Sequence, residues 1–159
     1  MLFLVRWPKT LYRSQSSNVI QVMQVVRAAA RYSALVFGIG FALGTVRVLL
    51  VVPRLGERTV ELIEAPLMVF VSWLVARWLT RRYTGIRRPV SSFAVGALAL
   101  AFLLMLEVAV GTIFFGLSPG SALIKPDPVR AASYYTALAL FAVMPLFVSR
   151  SSQARTSSA

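Results

Sequence analysis

Two long stretches without a charged side chain constrain the fold of this chain most strongly. Residues 89–106 are eighteen consecutive uncharged residues, and residues 131–149 are nineteen. A helix rises about 1.5 Å per residue, so either stretch nearly crosses the hydrocarbon core of a bilayer, which is about 30 Å thick. Only 14% of all residues are charged, against about 25% in a typical soluble domain. The sequence therefore predicts an integral membrane protein.

Two further apolar stretches precede these. Within residues 28–52, fifteen consecutive uncharged residues (32–46) precede Arg47, and five apolar residues follow it. Residues 60–80 are weaker, because only twelve uncharged residues separate Glu64 from Arg77, fewer than the ~18 that identify a span unaided. Two tryptophans near one end support this span, and a re-entrant or surface helix is the alternative. We expect one domain with an all-α fold, a four-helix transmembrane bundle with short loops and spans at residues 28–52, 60–80, 90–117 and 131–149.

The two ends of the chain are polar. Within residues 1–27, apolar side chains recur at helical spacing from Val19 to Val26 with polar residues between them, which predicts an interfacial amphipathic helix. For the first dozen residues a disordered leader is the alternative. Residues 150–159 are rich in serine and are predicted to be disordered.

The basic residues predict the orientation. The leader, the loop between the second and third spans, and the tail carry eleven Lys and Arg near the span ends, and the opposite side carries four. The positive side of a membrane protein is cytoplasmic, so both termini are expected inside. Fifteen of the 17 basic residues are Arg, which suggests a GC-rich bacterial genome and hence a bacterial cytoplasmic (inner) membrane. A nucleic-acid partner is not expected, because no soluble segment is long enough to present a basic face.

The chain contains no Cys and no His. Thiolate nucleophiles, Cys/His zinc sites, His-ligated haem and His general bases are therefore excluded. We expect no metal, no cofactor and no enzymatic activity, since two carboxylates acting together would be the only catalytic route left.

The first span carries small residues and a charge on one face. Gly40, Gly44 and Arg47 are spaced i, i+4 and i+7. Small residues let a second helix come close, and the charge then points into protein instead of lipid. Gly111, four residues after Glu107, is assigned the same packing role.

Five residues form a predicted intramembrane polar cluster. The first two spans form an antiparallel hairpin, so Arg47 and Glu64 come to similar depth and could pair. Glu107, near the midplane, could join them, and Tyr134 and Tyr135 could add hydroxyls from the fourth span. Glu107 has two interpretations: it binds and releases protons, or it is an ionised member of a structural network. Arg47 is interpreted first as a residue that locks the bundle through a carboxylate.

Two functional hypotheses remain. The first is a non-enzymatic protein that acts by helix–helix association, as an accessory or scaffold subunit of a membrane complex or as a homo-oligomer. Its partners would be the lipid bilayer and either other membrane subunits or a second copy. The alternative is a small proton-coupled transporter or channel that uses Glu107 with Arg47.

Overall fold

The computed structural model describes residues 9–55, 57–83, 88–124 and 127–156. Over these ranges the chain forms helices and turns and no strand. The helices are α1 (Lys9–Val46), α2 (Val52–Leu55), α3 (Glu57–Arg82), α4 (Pro89–Phe115), α5 (Pro119–Leu123) and α6 (Pro128–Thr156), with a π-helical segment (Arg47–Val51) between α1 and α2.

Four of these helices, α1, α3, α4 and α6, are long and apolar enough to cross a membrane. The apolar parts are Val19–Val46, Ile63–Arg82, Pro89–Phe115 and Pro128–Ser151. The prediction of an all-helical protein with four candidate spans is therefore confirmed, including the second and least apolar one. Asp127 caps the start of α6, because its Oδ1 accepts a hydrogen bond from the Val129 amide at 2.8 Å.

The long helices form a four-sided bundle. Helix α1 packs against α3 and α4, and α6 packs against the same two helices. Going round the bundle, the order is therefore α1, α3, α6, α4, and α1 faces α6 across the centre.

The tightly packed core lies in one half of this bundle. It is formed by the middle of α1, the first half of α4 and the second halves of α3 and α6, which lie together in an up-and-down arrangement. Small residues allow the close approach. At Gly96 a Cβ atom would lie 1.8 Å from the carbonyl oxygen of Ala142, so α4 and α6 touch backbone to backbone. The core members are Ala28, Ala29, Tyr32, Val36, Val75, Ala76, Leu79, Val95, Ala99, Leu103, Phe141, Met144 and Val148.

Tyr32 and Phe141 join α1 to α6 at the top of this core. Their rings are stacked, with centroids 4.4 Å apart and planes 1° from parallel. The Tyr32 hydroxyl donates a hydrogen bond to the Phe141 carbonyl at 3.1 Å. That carbonyl needs an external donor, because Pro145, four residues later, has no N–H.

The two ends of the chain differ from the prediction. The predicted helix before the first span is continuous with that span, because α1 runs without a break from Lys9 and its apolar part begins at Val19. The Gln21 side-chain amide donates to the Ser91 hydroxyl of α4 at 3.0 Å and so ties this part of α1 to the bundle. Likewise α6 continues to Thr156, whereas residues 150–156 were expected to be disordered. Residues 1–8 and 157–159 lie outside the described residues.

Candidate functional site

The other half of the bundle encloses a cavity of about 660 Å³. This volume is within the range of about 300–1,000 Å³ that is typical of small-molecule sites. All four long helices contribute to its wall, and none of the residues of α5 does. Most of the wall is apolar, and the large side chains include Phe37, Phe41, Met68, Leu103, Phe115 and Phe141. Phe141, Val36 and Leu103 also belong to the core, so they mark where the cavity meets the packed half.

Arg47 and Glu64 form an ion pair in the wall of this cavity. Nη1 of Arg47 lies 2.7 Å from Oε2 of Glu64, and the two side chains are 22% and 20% exposed. The structure thus joins the two residues that the hairpin argument brings to similar depth. The pair keeps the Arg47 charge inside the bundle, where a carboxylate compensates it.

The backbone at Arg47 is unusual. The π-helical segment begins at this residue and ends at Val51, two residues before Pro53. A π-helix has more residues per turn than an α-helix and is frequent at functional sites. Arg47 is the first residue of this segment, and its side chain is part of the cavity wall.

Glu107 and Tyr134 form a second polar pair. The Tyr134 hydroxyl on α6 donates a hydrogen bond to Oε2 of Glu107 on α4, and both side chains line the cavity. Four of the five residues of the predicted polar cluster therefore line one cavity, as two pairs contributed by the π-helical segment, α3, α4 and α6.

Tyr135 lies elsewhere. Its ring stands edge-on to that of Tyr134, with centroids 5.2 Å apart, and its hydroxyl donates to the Leu123 carbonyl of α5 at 3.2 Å. Consecutive residues of an α-helix point about 100° apart, because a turn has 3.6 residues. Tyr134 and Tyr135 therefore cannot both face the cavity.

The three glycines that were assigned to helix packing all line the cavity. At Gly40 an added Cβ would lie 2.9 Å from Cε of Met68, which is a close contact with a flexible side chain of α3. At Gly44 nothing lies within 4 Å, so the predicted helix contact is absent there and the residue opens into the cavity instead. Gly111 is buried in the α4 wall. The close backbone contact is made at Gly96 in the other half.

Arg130 and Ser133 are cavity residues that the sequence argument missed. They precede Tyr134 on α6, and Arg130, Ser133, Tyr134 and Ala137 recur at i, i+3, i+4 and i+7 along one helix face. This spacing is the signal that would have found them once Tyr134 was known to face inward.

The cavity can bind a small molecule that combines apolar and polar groups. Its apolar side chains offer contact area, and its two polar pairs offer hydrogen bonds at defined positions. Within the described ranges no group of three or more acidic side chains converges as a metal site would require. Comparison of the chain with protein-family models, curated proteins and solved structures finds no match.

Proposed function

We propose that this protein is a small proton-coupled carrier of the bacterial cytoplasmic membrane that binds its substrate in the cavity. Glu107 would take up and release the coupled proton, and Arg47 would compensate charge beside it. Both termini would be cytoplasmic, so that the cavity opens toward the outer face of the membrane. The observation that carries the proposal is that Glu107 lines a cavity of small-molecule size inside the span region.

The Glu107–Tyr134 pair is suited to proton exchange. The hydroxyl of Tyr134 donates to Oε2 of Glu107 and so fixes the position of the carboxyl group. A proton taken up at Oε1 leaves this hydrogen bond in place. A substrate in the cavity would meet whichever form the proton gradient produces, because both side chains are part of the wall.

A carrier needs one open side and one closed side, and the two halves of the bundle differ in this respect. One half holds a cavity, and the other half is closed by packed side chains beneath the Tyr32–Phe141 stack. Transport would require this layer to part. Pro145 in α6 makes that region adaptable, because no main-chain hydrogen bond ties residue 145 to residue 141.

The alternative of helix–helix association is less well supported by the geometry. Its main argument was the small-residue face of Gly40 and Gly44. Both glycines line the cavity, and Gly40 already lies against Met68 of α3. An accessory subunit would have to associate through its outer surface.

The test is infrared titration of the protein reconstituted in proteoliposomes, combined with a dye that reports the internal pH. We expect a carboxyl band that appears and disappears with pH and that is lost in Glu107→Gln. A panel of small amphiphilic cations, anions and neutral compounds is added one at a time. Proton movement driven by a member of that panel should be lost in the same variant.

Glu64→Gln is the matched control, because Glu64 lines the same cavity and is already paired with Arg47. It should keep the pH-dependent band of Glu107. A Glu107 carboxylate that stays ionised at every pH would make it a fixed member of an ion network and would end the carrier proposal. A band that persists in Glu107→Gln would end it equally.

A further inference from the structure

The end of the bundle opposite the cavity carries an uncompensated positive surface. Six arginines there are exposed: Arg27 and Arg31 on α1, Arg81 and Arg82 at the end of α3, Arg88 before α4, and Arg150 in α6. We refer to these six residues as the basic face.

The chain has no acidic residue at this end. Its five carboxylates are Glu57, Glu61, Glu64, Glu107 and Asp127, and all of them lie in the half that holds the cavity or at the helix ends beyond it. Like charges held close together repel one another unless anions gather around them. The basic face therefore requires counter-charge from outside the chain.

One arginine of this face is held in a fixed position. The Arg31 guanidinium lies over the Tyr83 ring, 5.7 Å from its centroid, and Nη1 donates a hydrogen bond to the Tyr83 hydroxyl. This contact anchors Arg31 at the junction of α1 with the end of α3. Arg27 lies one turn away on the same stripe of α1. A guanidinium is a planar fork of N–H donors whose geometry matches the oxygens of a phosphate.

Apolar side chains continue this stripe. Arg27, Arg31, Leu35 and Ile39 are spaced four residues apart on α1. Leu35 and Ile39 follow the arginines into the apolar span and are 42% and 39% exposed. Free phosphate would use only the arginines, whereas a phospholipid would use the arginines for its head group and these apolar side chains for its acyl chains.

We infer that the basic face binds anionic phospholipids of the surrounding bilayer. Arg27 and Arg31 hold the phosphate, and the exposed side chains of Leu35 and Ile39 contact the upper part of the acyl chains. Arg81 and Arg82 add attraction at the α3 end. Each basic residue near an anionic lipid surface raises the binding constant about fivefold, so the six together distinguish anionic from zwitterionic lipid.

The experiment is native mass spectrometry of the full chain, released from detergent micelles that contain equal amounts of phosphatidylglycerol and phosphatidylcholine with identical acyl chains. We expect phosphatidylglycerol to be retained preferentially. In Arg27→Gln/Arg31→Gln the preference should fall by about 25-fold, from the fivefold effect of each residue. Arg81→Gln/Arg82→Gln, which leaves the Arg31–Tyr83 contact in place, should lower it as well.

Arg54→Gln is the matched control, because Arg54 is exposed near the cavity end of the bundle. It should leave the lipid preference unchanged. Equal retention of the two lipids by the unmodified chain would overturn the inference. It would also be overturned if Arg54→Gln lowered the lipid preference as much as Arg27→Gln/Arg31→Gln does. Displacement of the lipid by glycerophosphate or by a short single-stranded DNA would also overturn it, because the face would then bind any phosphate.

Discussion

The hydroxyl of Tyr32 hydrogen-bonds the main-chain carbonyl of Phe141 at the one place in α6 where Pro145 leaves that carbonyl without its helical donor. Tyr32 is fully buried and Phe141 is 3% exposed, so water cannot serve as the donor instead. The proline in one helix and the tyrosine in the opposite helix therefore act as a unit. This unit lies at the inner end of the cavity, where Phe141 is part of the wall.

Removing the hydroxyl should destabilise the fold. In Tyr32→Phe the buried Phe141 carbonyl is left without a partner, which costs about 1–3 kcal/mol in the free energy of unfolding. Thermal or denaturant unfolding in detergent measures this loss. In a Pro145→Ala background residue 145 regains its N–H and can donate to the same carbonyl, so Tyr32→Phe should cost less there. An equal cost in both backgrounds would show that the hydrogen bond is not what matters.

A methyl group at Gly96 should be poorly tolerated. Its Cβ would lie 1.8 Å from the Ala142 carbonyl oxygen, and a backbone atom cannot move aside without shifting α6. Overpacking of this kind costs roughly 3 kcal/mol, measured as a lower unfolding temperature. Gly44→Ala is the matched control, since an added Cβ there meets nothing within 4 Å. If both variants lose the same stability, α4 and α6 are not in backbone contact at Gly96.

The ion pair of Arg47 and Glu64 should be coupled in stability. Glu64→Gln leaves the Arg47 charge without its partner carboxylate at this position, and Arg47→Met does the same to Glu64. Each single change should cost on the order of 2 kcal/mol, less than for a fully buried pair, since both side chains are about a fifth exposed. The double variant should cost less than the sum of the two. Strict additivity in unfolding measurements would mean that the charges do not interact.

The accessibility of the cavity can be probed with single cysteines, because the chain has none of its own. Gly44→Cys places a thiol in the cavity wall without a clash. We expect a membrane-impermeant maleimide, added outside spheroplasts of the expressing cells, to label it. Gly38→Cys is the comparison, because Gly38 is exposed on the outer surface of α1, where lipid would cover it. Equal labelling of both thiols would argue against a water-accessible cavity.

The sequence indicated the membrane spans more reliably than their ends. Helices α4 and α6 follow from their charge-free stretches, because only helical backbone satisfies its own hydrogen bonds in lipid. The pattern from Val19 to Val26 indicates a helix, but it does not show that this helix continues into the first span. The Gln21–Ser91 contact with α4, seventy residues away, holds this part of α1 against the bundle and is not visible in the local pattern.

The relative positions of site residues were predictable where the connection between two helices determines them. A hairpin brings Arg47 and Glu64 to one level whatever the packing. Tyr134 and Tyr135 differ by a rotation of about 100°, and which of the two faces inward depends on how α6 packs against α3 and α4. The cavity itself could not be foreseen either, because it results from how four helices meet and not from the pattern of any one of them.

The separation of charge between the two ends of the bundle has a consequence for assembly. To invert after insertion, the molecule would have to carry the guanidinium groups of the basic face through hydrocarbon. Against a resting potential this adds about 2.3 kcal/mol per charge for every ~100 mV. Copies that insert in the proposed orientation would therefore keep it. Any association between them would then be parallel, with the cavities of neighbouring copies opening toward the same compartment.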